Sequence, residues 1–192
     1  MIKRIAIFAS GNGSNAENIC SYFKRSEDIQ VSVILTNNSE SGVVDRCRKL
    51  DIPLISFSKN ELELKILLKL LDLHIDYIVL AGFLLKIPLS IIQAYPDRII
   101  NLHPALLPKF GGKGMYGIHV HNAVIKAGES ESGITIHCVS EEYDKGEILA
   151  QFRIPVDKTE SPEELQTRIH ELEYKYFPVV IESFINRDKS DE

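Results

Sequence analysis

The first hundred residues alternate between short, almost wholly apolar runs and segments with helical periodicity, and this alternation constrains the fold more than any other feature. Ile5-Ala6-Ile7-Phe8-Ala9 ends in Ser-Gly, and Val31-Ser32-Val33-Ile34-Leu35 is closed by Thr36-Asn37-Asn38. Pro53-Leu54-Ile55, Tyr77-Ile78-Val79-Leu80-Ala81-Gly82 and Arg98-Ile99-Ile100-Asn101-Leu102 follow. A strand with one wet face alternates apolar and polar residues, whereas a continuously apolar strand is covered on both faces. Between these runs, Asn15 to Lys24 and Val43 to Leu50 are expected as helices, and Pro88 starts a short one. Leu62, Ile66, Leu67, Leu70 and Leu71 form a helical stripe within Glu61 to Leu73. The pattern predicts an α/β fold: a single-domain, open, mostly parallel Rossmann-like sheet with helices on both faces.

After Asn101 the rhythm changes. Pro104 to Tyr116 is rich in proline and glycine and reads as a long loop; Val120 to Lys126 reads as a helix. The runs 133–139 and 148–154 flank a turn-rich segment with Asp144-Lys145-Gly146, so they are expected to pair as an antiparallel C-terminal extension. Ser161-Pro162-Glu163-Glu164 has a capping residue, proline at the first position and acids in the first turn, which predicts a helix running to about Ile185. Residues 187–192 read as a polar tail, and no repeat, linker or second domain interrupts residues 1–192.

At 192 residues the chain has the length of one domain with a sizeable core. Its net charge is −5 with scattered Lys and Arg, which argues against nucleic acid as the main partner. No apolar run approaches the roughly 20 residues of a membrane span, and the N-terminal segment reads as a strand rather than a signal peptide. Cys20, Cys47 and Cys138 are odd in number and far apart, a pattern of reduced, cytoplasmic thiols rather than disulfides or a metal site.

Two motifs carry chemistry. Gly11-x-Gly13-x-x-Ala16 lies after a strand and before a helix and formally fits a dinucleotide fingerprint. The ribose-binding acid expected near the end of strand two is replaced by Thr36-Asn37-Asn38, so a single phosphate is the favoured ligand, with a dinucleotide or a merely structural turn as alternatives. The second motif is Asn101-Leu102-His103-Pro104, just past a strand's carboxyl end, where open α/β sheets place ligands. An amide, an imidazole and the downstream carboxylate of Asp144 can together stabilise an oxyanion and move protons. The bland alternative makes Asn101 a turn cap, His103 a core residue and Asp144 an ordinary turn residue. His119 and His121 form an HxH pair without a visible third ligand, so no metal is expected. His137 reads equally as a core imidazole or a site residue, and His74 and His170 as surface residues.

These motifs resemble the phosphoribosylglycinamide formyltransferase family, folate-dependent enzymes of purine synthesis. The likeness runs through Ser10-Gly11-Asn12-Gly13-Ser14-Asn15, Leu80-Ala81-Gly82-Phe83, Asn101-Leu102-His103-Pro104-Ala105-Leu106-Leu107-Pro108, Gly133-Ile134-Thr135-Ile136-His137 and Asp144, almost the whole chain. The Asn-x-His-Pro-x-Leu-Leu-Pro run is shared with other formyltransferases and a formyltetrahydrofolate deformylase; the N-terminal glycine motif separates this family from them. The resemblance implies that Gly13, Ser14 and Asn15 hold the ribonucleotide phosphate in the N-terminal part. It implies that Glu173 contacts the glycinamide end. Leu84, Leu85, Lys86 and Ile87, with Asn101 and the segment Ser140, Glu141, Glu142, Tyr143 and Asp144, would bind folate. Asn101, His103 and Asp144 would be catalytic, with Thr135, His137 and His119 supporting them. Leu85 stands where the family often has arginine, and the loop 109–117 is longer than in many members; it is read as a flap or a plain longer loop, with no contact assigned.

The implied reaction moves a formyl group from 10-formyltetrahydrofolate, the cosubstrate, to the amine of glycinamide ribonucleotide, without a metal. Asn101 and a protonated His103 would donate to the tetrahedral oxyanion, and Asp144 would orient or charge His103 or position a proton-carrying water. The rivals are a deformylase, expected to carry an extra N-terminal domain, a methionyl-tRNA formyltransferase, expected to carry an RNA-binding C-terminal one, a sugar-amine formyltransferase, and a non-catalytic nucleotide-binding module. Partners are expected to be these small molecules, with no membrane, for a monomer or homodimer.

Overall fold

The structure, a computed structural model, describes residues 2–187. Apart from Arg187, which closes the last helix, the expected polar tail lies outside the described residues. The chain forms two compact units: one comprises the residues up to Ile100 with the chain from Ile181, the other Asn101–Val180.

The first unit contains β1 (Lys3–Phe8), α1 (Ser14–Phe23), β2 (Ile29–Thr36), α2 (Val43–Leu50), β3 (Leu54–Ser56), α3 (Lys65–Asp72), β4 (Tyr77–Leu80), α4 (Leu89–Ala94) and the start of β5 (Ile99–His103). β1 pairs in parallel with β2 and β4, and β2 with β3. Ile5, Ala6, Ile7 and Phe8 are fully buried, which is why β1 shows no alternation. Ile5, Ile7 and Phe8 each contribute about 1.5–3 kcal/mol of hydrophobic stabilisation. Phe8 adds an edge-to-face contact with Phe83 at 5.1 Å.

The second unit contains the end of β5, α5 (Ile118–Lys126), β6 (Glu131–Cys138), β7 (Ile148–Pro155) and most of α6 (Pro162–Arg187). β6 and β7 pair antiparallel, as the sequence predicts. The strands form one seven-stranded sheet of order β3-β2-β1-β4-β5-β6-β7. α6 starts where expected: Ser161 Oγ accepts the Glu164 N–H at 3.2 Å, and the Glu164 carboxylate accepts the Ser161 N–H at 2.8 Å.

One expected helix is broken. Glu61 to Leu73 divides into a single 3-10 turn, Lys59–Glu61, and α3. The Glu61 carboxylate accepts the N–H and hydroxyl of Ser58 at 2.7 and 2.8 Å, so the first turn caps itself locally instead of joining α3. Leu62, Ile66 and Leu70 are buried as the stripe predicts, but Leu71 points to solvent. α5 begins at Ile118, two residues earlier than the sequence suggests.

Candidate active site

The end of β5 carries Asn101 and His103 two residues apart. His103 is 3% exposed and Asn101 half-buried. The imidazole Nε2 of His103 lies 2.8 Å from the Phe110 carbonyl, which can only accept, so the proton of the neutral ring sits on Nε2. Nδ1 then faces Asp144 Oδ2 at 3.7 Å, too long for a direct hydrogen bond. Asp144 Oδ2 accepts the Gly112 N–H at 2.7 Å, and Oδ1 lies 3.5 Å from His137 Nε2.

His137 organises the other side. Its Nδ1 is 2.8 Å from the Cys138 carbonyl and donates to it, leaving Nε2 of the neutral ring as an acceptor. The Asn101 amide nitrogen sits 3.1 Å from that Nε2. One amide N–H is thereby committed, the amide is turned to present nitrogen, and its second N–H remains a donor. The β6–β7 register shifts between Ile136 and His137, a local irregularity of the kind that re-aims a side chain.

Backbone packing fixes this cluster. The Thr135 hydroxyl donates to the Ala105 carbonyl at 2.6 Å and accepts the Leu107 N–H at 3.0 Å, pinning the chain that leaves His103. Gln151 Nε2 bonds both Leu107 O and Thr135 Oγ1, at 2.9 and 3.0 Å. Asp144 itself adopts a left-handed backbone with φ 55°, uncommon outside glycine and held by its surroundings.

Burial lowers the pKa of His103 below its ordinary value, although the Asp144 charge and the Phe110 carbonyl oppose the shift. A ring whose pKa lies below 6.5 is mostly neutral near pH 7. Burial pushes the Asp144 carboxyl upward, but its contacts with His137, the Gly112 N–H and His103 outweigh it and hold the group below the usual carboxylate value. A neutral base thus lies beside an ionised carboxylate, an arrangement suited to taking up and returning a proton.

Glu173 is buried on α6 at 4% exposure. Its carboxylate accepts from His170 Nδ1 at 2.9 Å, and this bond raises the His170 pKa despite burial. His170 is therefore a partner of Glu173 rather than a free surface residue. His121 is 1% exposed, and burial lowers its pKa to about 4. His119 is exposed on α5, edge-on to Tyr116 with centroids 5.3 Å apart. Ser140 is half-buried, whereas Glu141, Glu142 and Tyr143 are exposed.

In the first unit, Gly13 precedes α1 with φ 76°, and Ser14 and Asn15 open the helix half-buried. Ser10 ties this turn to two strand ends: its hydroxyl donates to Asn37 Oδ1 at 2.6 Å and accepts the Leu84 N–H at 3.0 Å. Leu84 and Lys86 are exposed, Leu85 half-buried and Ile87 buried. Among the described residues no His, Cys, Asp and Glu cluster suits a metal ion, and no helix is long and apolar enough to cross a membrane.

Sequence reasoning missed Phe110 and Gly112. Their backbone groups, from the loop 109–117 to which no contact was assigned, hold His103 and Asp144. Backbone groups leave no residue-type signature; the only available signal was the glycine density of the loop.

A family model, that of the formyl transferases, matches residues 3–181. The chloroplastic phosphoribosylglycinamide formyltransferase of Arabidopsis thaliana is 43% identical over 189 residues, 93% of this chain and 64% of the relative. The chain likewise spans 60% of the corresponding protein of Vigna unguiculata, so it covers less than two thirds of these plant relatives. The phosphoribosylglycinamide formyltransferase of Bacillus subtilis (strain 168) is 35% identical over 198 residues, covering 100% of this chain and 99% of the relative. A crystal structure of phosphoribosylglycinamide formyltransferase from Bacillus halodurans matches with a TM-score of 0.88 at 33% identity, over 97% of each chain.

Proposed function

The chain belongs to the formyl transferase family, and from that premise we propose that it transfers the formyl group of 10-formyltetrahydrofolate to the amine of 5'-phosphoribosylglycinamide. The observation that carries this reading is the Asn101 amide, locked by His137, beside the neutral His103 and ionised Asp144. The named relatives support the choice of acceptor.

In the proposed mechanism the substrate amine attacks the formyl carbon. The carbonyl oxygen becomes an oxyanion, and the uncommitted Asn101 N–H donates to it. Such a donor contributes about 2.7–4 kcal/mol to the transition state. Attack makes the amine acidic, and His103 Nδ1 takes its proton, directly or through a water. The Asp144 charge stabilises the imidazolium so formed. His103 then returns the proton to the folate nitrogen as the carbon–nitrogen bond to it breaks, so atoms and charge balance without a metal or a covalent enzyme intermediate. Gly13, Ser14 and Asn15 would bind the phosphate and Glu173 the glycinamide end. Folate would be held by 84–87, Asn101 and 140–144, and Leu85 gives the first segment no cation at its own position. Cys20, Cys47 and Cys138 are buried thiols, which suits a reducing cytoplasmic setting.

The test is a spectrophotometric assay with 10-formyltetrahydrofolate, with and without glycinamide ribonucleotide. Folate turnover only with the ribonucleotide is the expected result. Turnover without it identifies a deformylase, and none in either case removes this acceptor.

A further inference from the structure

The glycine turn after β1 is gripped by α2. The Val43 N–H donates to the Gly11 carbonyl at 3.3 Å. Arg46 Nε donates to the Asn12 carbonyl at 2.8 Å, and its Nη2 reaches the Asn12 side-chain oxygen at 3.4 Å. The same guanidinium pairs through Nη1 with Glu17 on α1. The fit is close: a Cβ on Gly13 would lie 2.5 Å from Val43 Cγ2, and one on Gly42 2.6 Å from Asn12 Oδ1.

A trans peptide unit points its N–H opposite to its C=O. With the Gly11 and Asn12 carbonyls turned toward α2, the N–H groups of Asn12 and Gly13 are turned away from it. Gly13 then bends the chain with φ 76°, and consecutive N–H groups around such a bend converge as an anion-binding nest. The side-chain fork of Arg46 is what fixes the central carbonyl, and Glu17 holds the fork in place.

We propose that Arg46 is a positioning residue that aims the Asn12 and Gly13 N–H groups at the phosphate of the acceptor substrate. It acts from behind the turn, through the Asn12 carbonyl, rather than by touching the anion. This role rests on the reading that the turn binds the substrate phosphate. It separates two properties of one arginine: its charge is largely spent on Glu17, while its geometry sets the direction of two backbone dipoles.

The test compares two acceptors, glycinamide ribonucleotide and the glycinamide riboside that lacks the phosphate. Wild type is expected to prefer the ribonucleotide by kcat/KM. In Arg46→Ala that preference falls about tenfold, the equivalent of about 1.4 kcal/mol, through a raised KM for the ribonucleotide. The inhibition constant of inorganic phosphate rises by a similar factor. Arg46→Gln, which keeps a stem but loses the fork, is the second variant and decides the matter where alanine fails to fold. A general loss of structure lowers turnover of both acceptors together and leaves the ratio alone. A preference unchanged in the folded variants overturns the role of Arg46 while the phosphate reading stands. A wild type indifferent to the phosphate overturns that reading, and this role with it.

Discussion

Acidification should destabilise this protein through His121 in a window that the structure defines. Its ring is 1% exposed, and burial takes its pKa from 6.5 to about 4, the Glu173 charge opposing and His170 and His103 reinforcing the shift. Above pH 6.5 the ring is neutral in both the native and unfolded chains and contributes no pH dependence. Below it the unfolded chain binds a proton that the native one refuses until about pH 4, so native stability is lost as pH falls through that interval. The linkage integral gives about 2 kcal/mol lost between pH 7.5 and 5, rising to about 3 kcal/mol below pH 4. His103, also lowered, acts in the same direction, whereas the raised pKa of His170 favours the native state at acid pH and offsets part of the loss. The His121 share is isolated by urea unfolding of wild type and His121→Leu at pH 7.5, 6 and 5. Leucine removes both the titration and a buried Nδ1 that has no hydrogen-bond partner among the described residues. The stability difference, wild type minus variant, should shrink by about 2 kcal/mol across that range. A difference that moves by less than about 0.5 kcal/mol refutes a neutral, buried His121.

Asp144→Asn should lower kcat by roughly 10²–10⁴, the range for losing a proton-transfer partner, while calorimetry still detects ribonucleotide binding; near-normal turnover removes Asp144 from the mechanism. The kcat–pH profile should fall on its acid side with an inflection below 6.5, because the lowered His103 pKa keeps the base form to lower pH; an inflection above 6.5 contradicts the proposed base. His137→Phe removes the acceptor that orients the Asn101 amide, and kcat of the folded variant should drop about a hundredfold; unimpaired turnover means the amide is held by something else. Thr135→Val strands the buried Ala105 carbonyl and Leu107 N–H and should cost about 2 kcal/mol in denaturant unfolding; a shift below half of that shows these groups find other partners.

The parts of this molecule that could be read in the sequence are those where a side chain carries the information. The buried run 5–8 of β1 and the whole of β4 announce themselves because a strand segment covered on both faces has no polar positions to interrupt it. Asn101 and His103 stand out because two polar side chains follow an apolar run and precede proline. Asp144 became visible only through them. What stayed hidden is carried by backbone or by local competition. The Ser58–Glu61 bonds ended a helix whose apolar stripe continued past them. His170 looked like a surface residue because its partner, Glu173, lies three positions on, a helical neighbour whose burial no pattern of apolar residues reported. The loop 109–117 is the clearest case. Read as a flap or a spacer, it instead delivers the Phe110 carbonyl to His103 and the Gly112 N–H to Asp144. Those deliveries depend on left-handed backbone at Phe110 and Gly112, with φ 56° and 98°. They also depend on Gly111, where a Cβ would sit 2.5 Å from Leu107 Cδ2 and 3.3 Å from the Asp144 Cβ. A buried imidazole has two nitrogens, and each must be matched. Assigning His103 to a site therefore obliges the fold to supply a second partner for its ring, and a glycine-rich segment seven residues on, able to bring its backbone close, is where that partner was to be sought.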